Sequence, residues 1–302
     1  MAYLHSDREQ FKEAIDLTYT HTGVATQIIE KDYYVTMILR LLAQKIPHAV
    51  FKGGTSLSKC HRVINRFSED IDISIDTSLS QGQRKRFKEA VVEIVDELGL
   101  TIENLNDTRS RRDFNRYEIP FTSVLPFAND ALKPYVYMET VFSSLSFPNV
   151  VMPVHNYIGS MMEKEAPELI EGFGLSPFDM KVQGIDRTLI DKVFAICDYY
   201  LEKKTQGHSR HLYDIYKLLP RVPQNESFKH LVGEVRNVRK DMSVCPSAQE
   251  GVSVPKLIEQ IMHEEVYKSD YIAITDHLLE ERISYDTAVS ALSVLMENHM
   301  FE

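Results

Sequence analysis

The stretch KGGTSLSKCHRVINRFSEDIDISID, residues 52–76, contains the two features on which the fold and function of this chain depend. Gly53 and Gly54 follow a short apolar run and precede a segment rich in hydroxyl side chains. Asp70 and Asp72 then stand at alternate positions of a β-branched segment. Because alternate side chains of a strand point to the same face, the two carboxylates share one face and the intervening isoleucines share the other.

Two neighbouring carboxylates repel each other, and a bound divalent cation removes that repulsion. Mg²⁺ prefers oxygen ligands, commonly one or two carboxylates together with the phosphates of a substrate. We therefore predict that Asp70 and Asp72 hold Mg²⁺ or Mn²⁺. Glu139, on a segment that is predicted to form a neighbouring strand, is the candidate for a third metal ligand, and Glu118 on the preceding strand is the alternative.

The glycine pair predicts a phosphate-binding turn. Glycine permits positive φ and lets a bulky anion approach the backbone, and the helix start that follows presents free N–H groups. Thr55 and Ser56 add hydroxyl donors. Together with the aspartates, Gly53 and Gly54 predict a nucleoside triphosphate site. A surface loop that leads into an ordinary strand is the alternative, and a glycosyltransferase is disfavoured because its paired aspartates do not usually follow such a turn so closely.

Composition is typical of a soluble globular protein, with 43% apolar and 26% charged residues in a chain of 302. We see no secretion signal and no run of about 18 apolar residues that would span a membrane. The cysteines Cys60, Cys197 and Cys245 are scattered, which argues against a disulfide framework or a thiolate zinc site. A cytoplasmic location is expected.

Net charge is −10, which by itself disfavours nucleic-acid binding, but the charge is unevenly distributed. Residues 261–302 contain nine acids and two bases, so that only −3 remains for the rest of the chain. Two basic clusters lie within that remainder, at residues 84–88 and 109–116. Local patches matter more than the total for binding a polyanion, although each cluster alone is equally consistent with a solvated surface.

Hydrophobic periodicity predicts a mixed first half and a helical second half. Residues 6–9 resemble a capping box with Ser6 as the cap of the first helix, residues 55–64 are predicted to be helical, and residues 80–98 form an amphipathic helix. Strands are expected near residues 49–51, 70–76, 117–122, 135–142 and 178–183. The predicted fold class is α+β, with a small mixed sheet and flanking helices in a domain at 1–184 and a mostly helical domain at 185–302.

The motifs FKGGTSLSK and RFSEDIDIS together resemble the opening motif of the nucleotidyltransferase AbiEii/AbiGii toxin family. EKDYYVTMILRLL, residues 30–42, resembles the helix that often precedes that motif, and the likeness returns at residues 189–219. This family consists of DNA polymerase β-like nucleotidyltransferases that act as toxins in type IV toxin–antitoxin and abortive phage-infection systems. The resemblance implies a polymerase β-like fold for the first domain.

The resemblance also implies roles for residues that the spacing alone does not single out. Lys192 matches a lysine that is thought to contact the triphosphate, and Asp214 matches a downstream acid of the site. Arg210 lies one helical turn before Asp214, and it is expected to take part in nucleotide binding. Without the resemblance, an exposed helix lysine and a surface ion pair would be the preferred interpretations.

The expected function is transfer of a nucleoside monophosphate from an NTP to a hydroxyl acceptor, with release of pyrophosphate. The resemblance implies that the acceptor is RNA, for example the 3′ end of a tRNA, and that a cognate antitoxin exists. One alternative is a nucleotidyltransferase that modifies a protein or a small molecule such as an antibiotic. Another is a regulatory protein that binds nucleotide without turnover.

Overall fold

A computed structural model describes residues 3–66, 68, 70–126 and 133–302. The chain divides into two compact units, the first of Met1–Cys60 with Ser68–Val182 and the second of His61–Phe67 with Gln183–Glu302. The sequence predicts a domain boundary after residue 184, so residues 61–67 are expected to belong to the first domain. The structure groups this short segment with the second unit. No helix in the described part of the chain is long and apolar enough to cross a membrane.

The described residues form one mixed, six-stranded sheet, and this sheet with its helices confirms the predicted α+β class. Its strands are β1 (Ala49–Lys52), β2 (Ile71–Ile75), β3 (Phe114–Pro120), β4 (Tyr135–Leu145), β5 (Asn149–Val154) and β6 (Phe178–Gln183). The order across the sheet is β3-β4-β2-β1-β6-β5. β1 runs antiparallel to β2 and parallel to β6, while β4 runs parallel to β2 and antiparallel to β3.

Strand β2 shows why this sequence forms a central strand. Ile71, Ile73 and Ile75 are each 0% exposed and enter the core, as the alternation predicts. Their burial fixes the register, because a slip by one residue would turn all three toward the opposite face. Strand β5 was missed by the sequence prediction, since its side chains do not alternate and Val150 and Val151 are both exposed.

The helices before the second unit are α1 (Arg8–Thr22), α2 (Thr26–Lys45), α3 (Gly53–Lys59), α4 (Gln81–Glu97), α5 (Tyr157–Glu165) and α6 (Pro167–Ile170). Ser80 caps α4 in a capping box with Gln83. The cap predicted for α1 is wrong: Ser6 ends a preceding 3-10 turn, and the Asp7 carboxylate accepts the free backbone N–H groups. Helix α3 is also shorter than predicted: it ends at Lys59, and the chain enters the second unit from His61.

The second unit is helical, as predicted. Its helices are α7 (Ile185–Leu201), α8 (Arg210–Leu218), α9 (Glu226–Arg239), α10 (Val254–His263), α11 (Lys268–Asp270), α12 (Asp276–Leu278) and α13 (Tyr285–Glu297). A π-helical turn, Tyr271–Thr275, joins α11 to α12, and 3-10 turns lie at Leu4–Ser6, Leu105–Asp107, Leu219–Arg221 and Pro246–Ala248. Two contacts join the segment before Ser68 to the rest of this unit. The Asn65 backbone N–H donates to the Tyr213 hydroxyl, and Arg66 forms an isolated antiparallel β-bridge with Leu279.

Candidate active site

Four charged side chains form a row across four neighbouring strands. Lys52 on β1 is the register partner of Asp72 on β2, and Asp72 is in turn the register partner of Glu139 on β4. Arg116 on β3 pairs with Glu139 and completes the row. Because register partners on adjacent strands project from the same face, two carboxylates stand side by side with a cation at each end. The row contains the predicted metal ligands Asp72 and Glu139.

The pKa of Glu139 is raised by its surroundings. Burial raises the pKa of Glu139, and the charges of Asp72 and Asp70 raise it further. The cations Arg116 and Lys52 act in the opposite direction, but they do not restore the usual pKa. A ligand that is positively charged would therefore be stabilised at this carboxylate.

The structure separates the two candidates for the third carboxylate. Asp70 lies immediately before β2 and is partly exposed, and its negative charge helps to raise the pKa of Glu139. Glu139 lies on the strand adjacent to β2 and directly opposite Asp72. Glu118 lies one strand further away, on β3, where its register partner is Tyr137. The arrangement favours Glu139 over Glu118 as the partner of the aspartates.

Gly53 lies where β1 turns into α3, and it is the glycine of the pair that has positive φ, at 78°. A Cβ atom at this position would lie 1.9 Å from Oδ2 of Asp72 and 2.8 Å from its Cγ. No side chain other than hydrogen fits there unless Asp72 moves. Gly53 therefore serves both the backbone conformation of the turn and the placement of a predicted metal ligand. Gly54 follows it as the second residue of α3.

The hydroxyl groups that follow the glycines are used to shape the turn. The Ser56 hydroxyl donates to the Gly53 carbonyl oxygen at 2.9 Å, and Thr55 Oγ1 shares a hydrogen bond of 2.9 Å with Ser68 Oγ. Thr55 and Ser56 are 2% and 0% exposed. Their contact with phosphate stays a prediction, whereas their role in holding the turn is visible.

The acids fit a magnesium site in donor chemistry. Asp70, Asp72 and Glu139 offer only carboxylate oxygens, the hard ligands that Mg²⁺ prefers. Within the described ranges, no three His, Cys, Asp or Glu side chains are grouped as a complete metal site. Asp70, Asp72 and Glu139 are therefore not gathered into a three-ligand group, and a magnesium ion held by one or two of them would take its other ligands from water and substrate phosphates. The close approach of Gly53 to Asp72 further restricts where that carboxylate can lie.

Asp214 lies at the centre of a buried ionic cluster within the second unit. Arg66 donates from Nε to Oδ1 and from Nη2 to Oδ2, both at 2.7 Å, and Lys192 Nζ donates to Oδ2 at 2.6 Å. Burial alone would raise the pKa of Asp214, but the charges and hydrogen bonds of Arg66 and Lys192 outweigh it and hold the pKa well below its usual value. The carboxylate is thus ionised between two cations.

This cluster revises the pairing expected from helical spacing. The described ion pairs of Asp214 go to Arg66 and Lys192, although Arg210 stands four residues before it on α8. Burial lowers the pKa of Lys192, and the positive charge of Arg210 lowers it further. Arg66, which lies 148 residues before Asp214, was missed because no local pattern links the two positions. The roles of Lys192, Arg210 and Asp214 toward nucleotide stay predictions.

A second buried ion pair also escaped the sequence reasoning. Asp32 on α2 pairs with Lys59, the last residue of α3, and its other carboxylate oxygen accepts the backbone N–H of Tyr157 at 3.1 Å. The Lys59 and Asp32 side chains are only 6% and 12% exposed. Helix α2 is therefore joined by an ion pair to the last residue of α3, the helix that follows the Gly53 turn. A charged residue within an otherwise apolar helix face was the available signal.

A comparison with known protein families places this chain in one of them. Residues 38–291 match the model of the family described as nucleotidyl transferase AbiEii toxin, type IV TA system. That match includes both the strand row and the buried ionic cluster. No curated protein matches the chain. Because the family model covers most of the sequence, the chain belongs to the AbiEii family of nucleotidyl transferase toxins of type IV toxin–antitoxin systems, and an antitoxin partner is implied.

Proposed function

We propose that this toxin transfers a nucleoside monophosphate from an NTP to a hydroxyl group of an RNA acceptor, with a divalent cation as cofactor. The observation that supports the proposal most directly is the pairing of Asp72 with Glu139 beside the Gly53 turn. Paired carboxylates next to a turn that admits a bulky anion suit a metal-bound triphosphate. Neither feature would be required of a purely structural strand.

In the proposed reaction, the acceptor oxygen attacks the α-phosphorus and the bond to the β,γ-pyrophosphate breaks. Asp70, Asp72 and Glu139 would hold Mg²⁺ or Mn²⁺, which neutralises charge on the phosphates. Gly53 keeps the backbone close to the triphosphate. Arg116, at the end of the row, has its guanidinium group 4.1 Å from the centroid of the Tyr137 ring, and it is proposed to donate to a phosphate oxygen. The contribution of the chain is positioning and charge compensation.

Lys192 and Arg210 are proposed to bind phosphate oxygens, as the family resemblance implies. The cluster around Asp214 contains two cations and one carboxylate, so it has a surplus of positive charge. A surplus of that sign favours an anionic ligand. We expect Lys192→Ala to weaken NTP binding, although it also removes a partner of Asp214, so its folded fraction must be measured in parallel.

The proposal is tested by incubating the protein with Mg²⁺, total tRNA and each α-labelled NTP. We expect label in RNA, and we expect Asp72→Asn and Glu139→Gln to lower the rate by about 10²-fold or more, the order typical for loss of a charge-stabilising group. Glu118→Gln is the matched control, because Glu118 projects from the same face as Glu139 but belongs to the neighbouring strand. Its rate should remain close to that of the unchanged protein.

Other outcomes assign other functions. Label in a protein or small molecule, with RNA unlabelled, would replace the acceptor. Binding of NTP with no pyrophosphate release under any condition would indicate a non-catalytic nucleotide-binding protein. Equal rates for Asp72→Asn and the unchanged protein would refute the assignment of the row as the active site.

A further inference from the structure

The two basic clusters that the sequence singles out meet in a cavity of about 960 Å³ on the first unit. One wall is helix α4, which contributes Lys85, Lys88 and Val92 at spacings of three and four residues. These side chains share one helical face, beside the face that buries Phe87 and Val91 in the core. The cavity is therefore lined by the outward face of a well-anchored helix.

The other wall is the segment that precedes β3, and its backbone is held in place. Buried Asn115 accepts the backbone N–H of Arg109 at 2.7 Å and donates back to the Arg109 carbonyl oxygen at 3.0 Å. Arg112 donates to the Asp107 carbonyl oxygen at 2.8 Å. Lys88 crosses from the helix to donate to the Thr108 carbonyl oxygen at 2.9 Å. The wall is thus preorganised, and few conformations need be lost on binding.

Charge in this cavity is opposite in sign to that of the protein. Its lining includes five cations, Lys85, Lys88, Arg109, Arg111 and Arg112, against the two acids Glu89 and Glu93, in a chain of net charge −10. Burial lowers the pKa of Lys88, and the charge of Arg109 lowers it further. The cations are therefore crowded, and an anion would relieve their repulsion.

Not every base of the clusters takes part. Arg84 turns to Asp113, with which it forms an ion pair at 2.8 Å, and its guanidinium lies over the Phe142 ring. Arg116 lies on β3 at the end of the charged row, opposite Glu139. Since Arg112 and Arg116 are four residues apart, their Cα atoms are separated by at most about 14 Å. One short segment therefore joins the basic cavity to the candidate active site.

We propose that this cavity binds the phosphodiester backbone of the RNA acceptor. The inference rests on the proposed function for the identity of the acceptor. A polymer of repeating anions fits both the surplus of cations in the cavity and the continuation of the basic segment to the acids. The guanidinium group of Arg111 suits phosphate, which it can contact through two donors at once, while Arg109 and Arg112 each donate from Nη1 to backbone carbonyl oxygens and have their other N–H groups for phosphate. An acidic protein is the competing occupant, and the test separates the two.

The experiment measures binding of a short, unstructured, fluorescently labelled RNA at two salt concentrations. The variant is Lys85→Gln/Arg111→Gln, chosen because both side chains are exposed and the ion pair that Lys85 forms among the described residues is with Glu89 on its own helix. The matched control is Lys12→Gln/Lys164→Gln, which removes the same charge from exposed positions of the same unit. We expect weaker binding only for the cavity variant, with a salt slope reduced by about 1.4, or roughly 0.7 per lost phosphate contact.

A gain of affinity gives a second readout that structural damage would not produce. Glu89→Gln/Glu93→Gln removes the two acids from the lining, so RNA should bind more tightly than to the unchanged protein. RNA binding that is equal in the cavity variant and the control would overturn the proposal. The proposal would also be overturned if the cavity variant lost binding to poly-glutamate but kept its RNA binding, which would indicate an acidic protein as the occupant.

Failure of this inference can be told apart from failure of the proposed function. If Asp72→Asn abolishes transfer while the cavity variant keeps the same KM for RNA as the control, the active site stands and the RNA-binding cavity is refuted. If the unchanged protein transfers no nucleotide but its RNA affinity depends on Lys85 and Arg111, the cavity stands and the proposed reaction fails.

Discussion

Replacement of Gly53 by alanine should separate stability from activity. The new Cβ would lie 1.9 Å from Asp72 Oδ2, whereas ordinary contact begins at 3.4 Å, so the carboxylate must withdraw by about 1.5 Å. Misplacement of a reacting group by ~1 Å can cost ~10²-fold in rate. Alanine at positive φ costs only about 1–2 kcal/mol in the free energy of unfolding. We therefore expect a folded protein whose transfer rate falls by about a hundredfold.

Gly23 provides the matched control for this substitution. It has a φ of 71°, close to the 78° of Gly53, but among the described residues no atom beyond its own chain neighbours lies within 4 Å of its Cβ position. Gly23→Ala should show the same loss of stability in urea denaturation as a backbone effect, with its transfer rate unchanged. If Gly53→Ala kept the rate of Gly23→Ala, the argument that Gly53 places Asp72 would be refuted.

Three further substitutions test the charge arrangement. Asp214→Asn should lower the free energy of unfolding by about 3–5 kcal/mol in urea denaturation, since it leaves two buried cations without their anion. Because the pKa of Asp214 is lowered in the folded protein, its carboxylate contributes fully to stability above its ordinary pKa of 3.8. The difference in stability between the two proteins should therefore shrink as the pH falls below that value. In the presence of a chelator, Glu139→Gln should have a higher melting temperature than the unchanged protein. Addition of Mg²⁺ should raise the melting temperature of Glu139→Gln less than that of the unchanged protein, and a larger rise for the variant would contradict a metal site there. Asp32→Asn should destabilise the fold by about 3 kcal/mol through loss of its buried pair with Lys59, against almost nothing for exposed Asp16→Asn.

Local patterns were sufficient to predict the central strand and its two faces. The alternation of Asp70 and Asp72 with isoleucines determines which side chains enter the core, and that depends only on the period of two in a strand. The glycine turn was predictable from local sequence as well, because glycine is the residue that adopts positive φ without steric cost, as Gly53 does. The helices of the second unit followed from their apolar periodicity.

Pairings between distant segments were not predictable from one sequence. Glu118 and Glu139 both stand on strand-like segments, and only the parallel register of β4 with β2 places Glu139 opposite Asp72. The salt bridge of Arg66 with Asp214 joins positions 148 residues apart. A helical spacing of four favours the Arg210–Asp214 pair, but the tertiary contact with Arg66 offers a two-point hydrogen bond that this local pair would have to match.

The two units differ in which charge is left in surplus, and this difference is informative about ligands. In the second unit, Asp214 is enclosed by Arg66 and Lys192, so the carboxylate is fully compensated and the surplus is positive. In the first unit, Glu139 lies near two further carboxylates, Asp72 and Asp70, and the three acids outnumber the nearby cations Arg116 and Lys52 by one. A surplus of either sign costs free energy in the unliganded fold, and a ligand of the opposite sign recovers it. Each unit is therefore described by its own charge: a cation would recover that cost beside Glu139 in the first unit, and an anion would recover it beside Lys192 in the second.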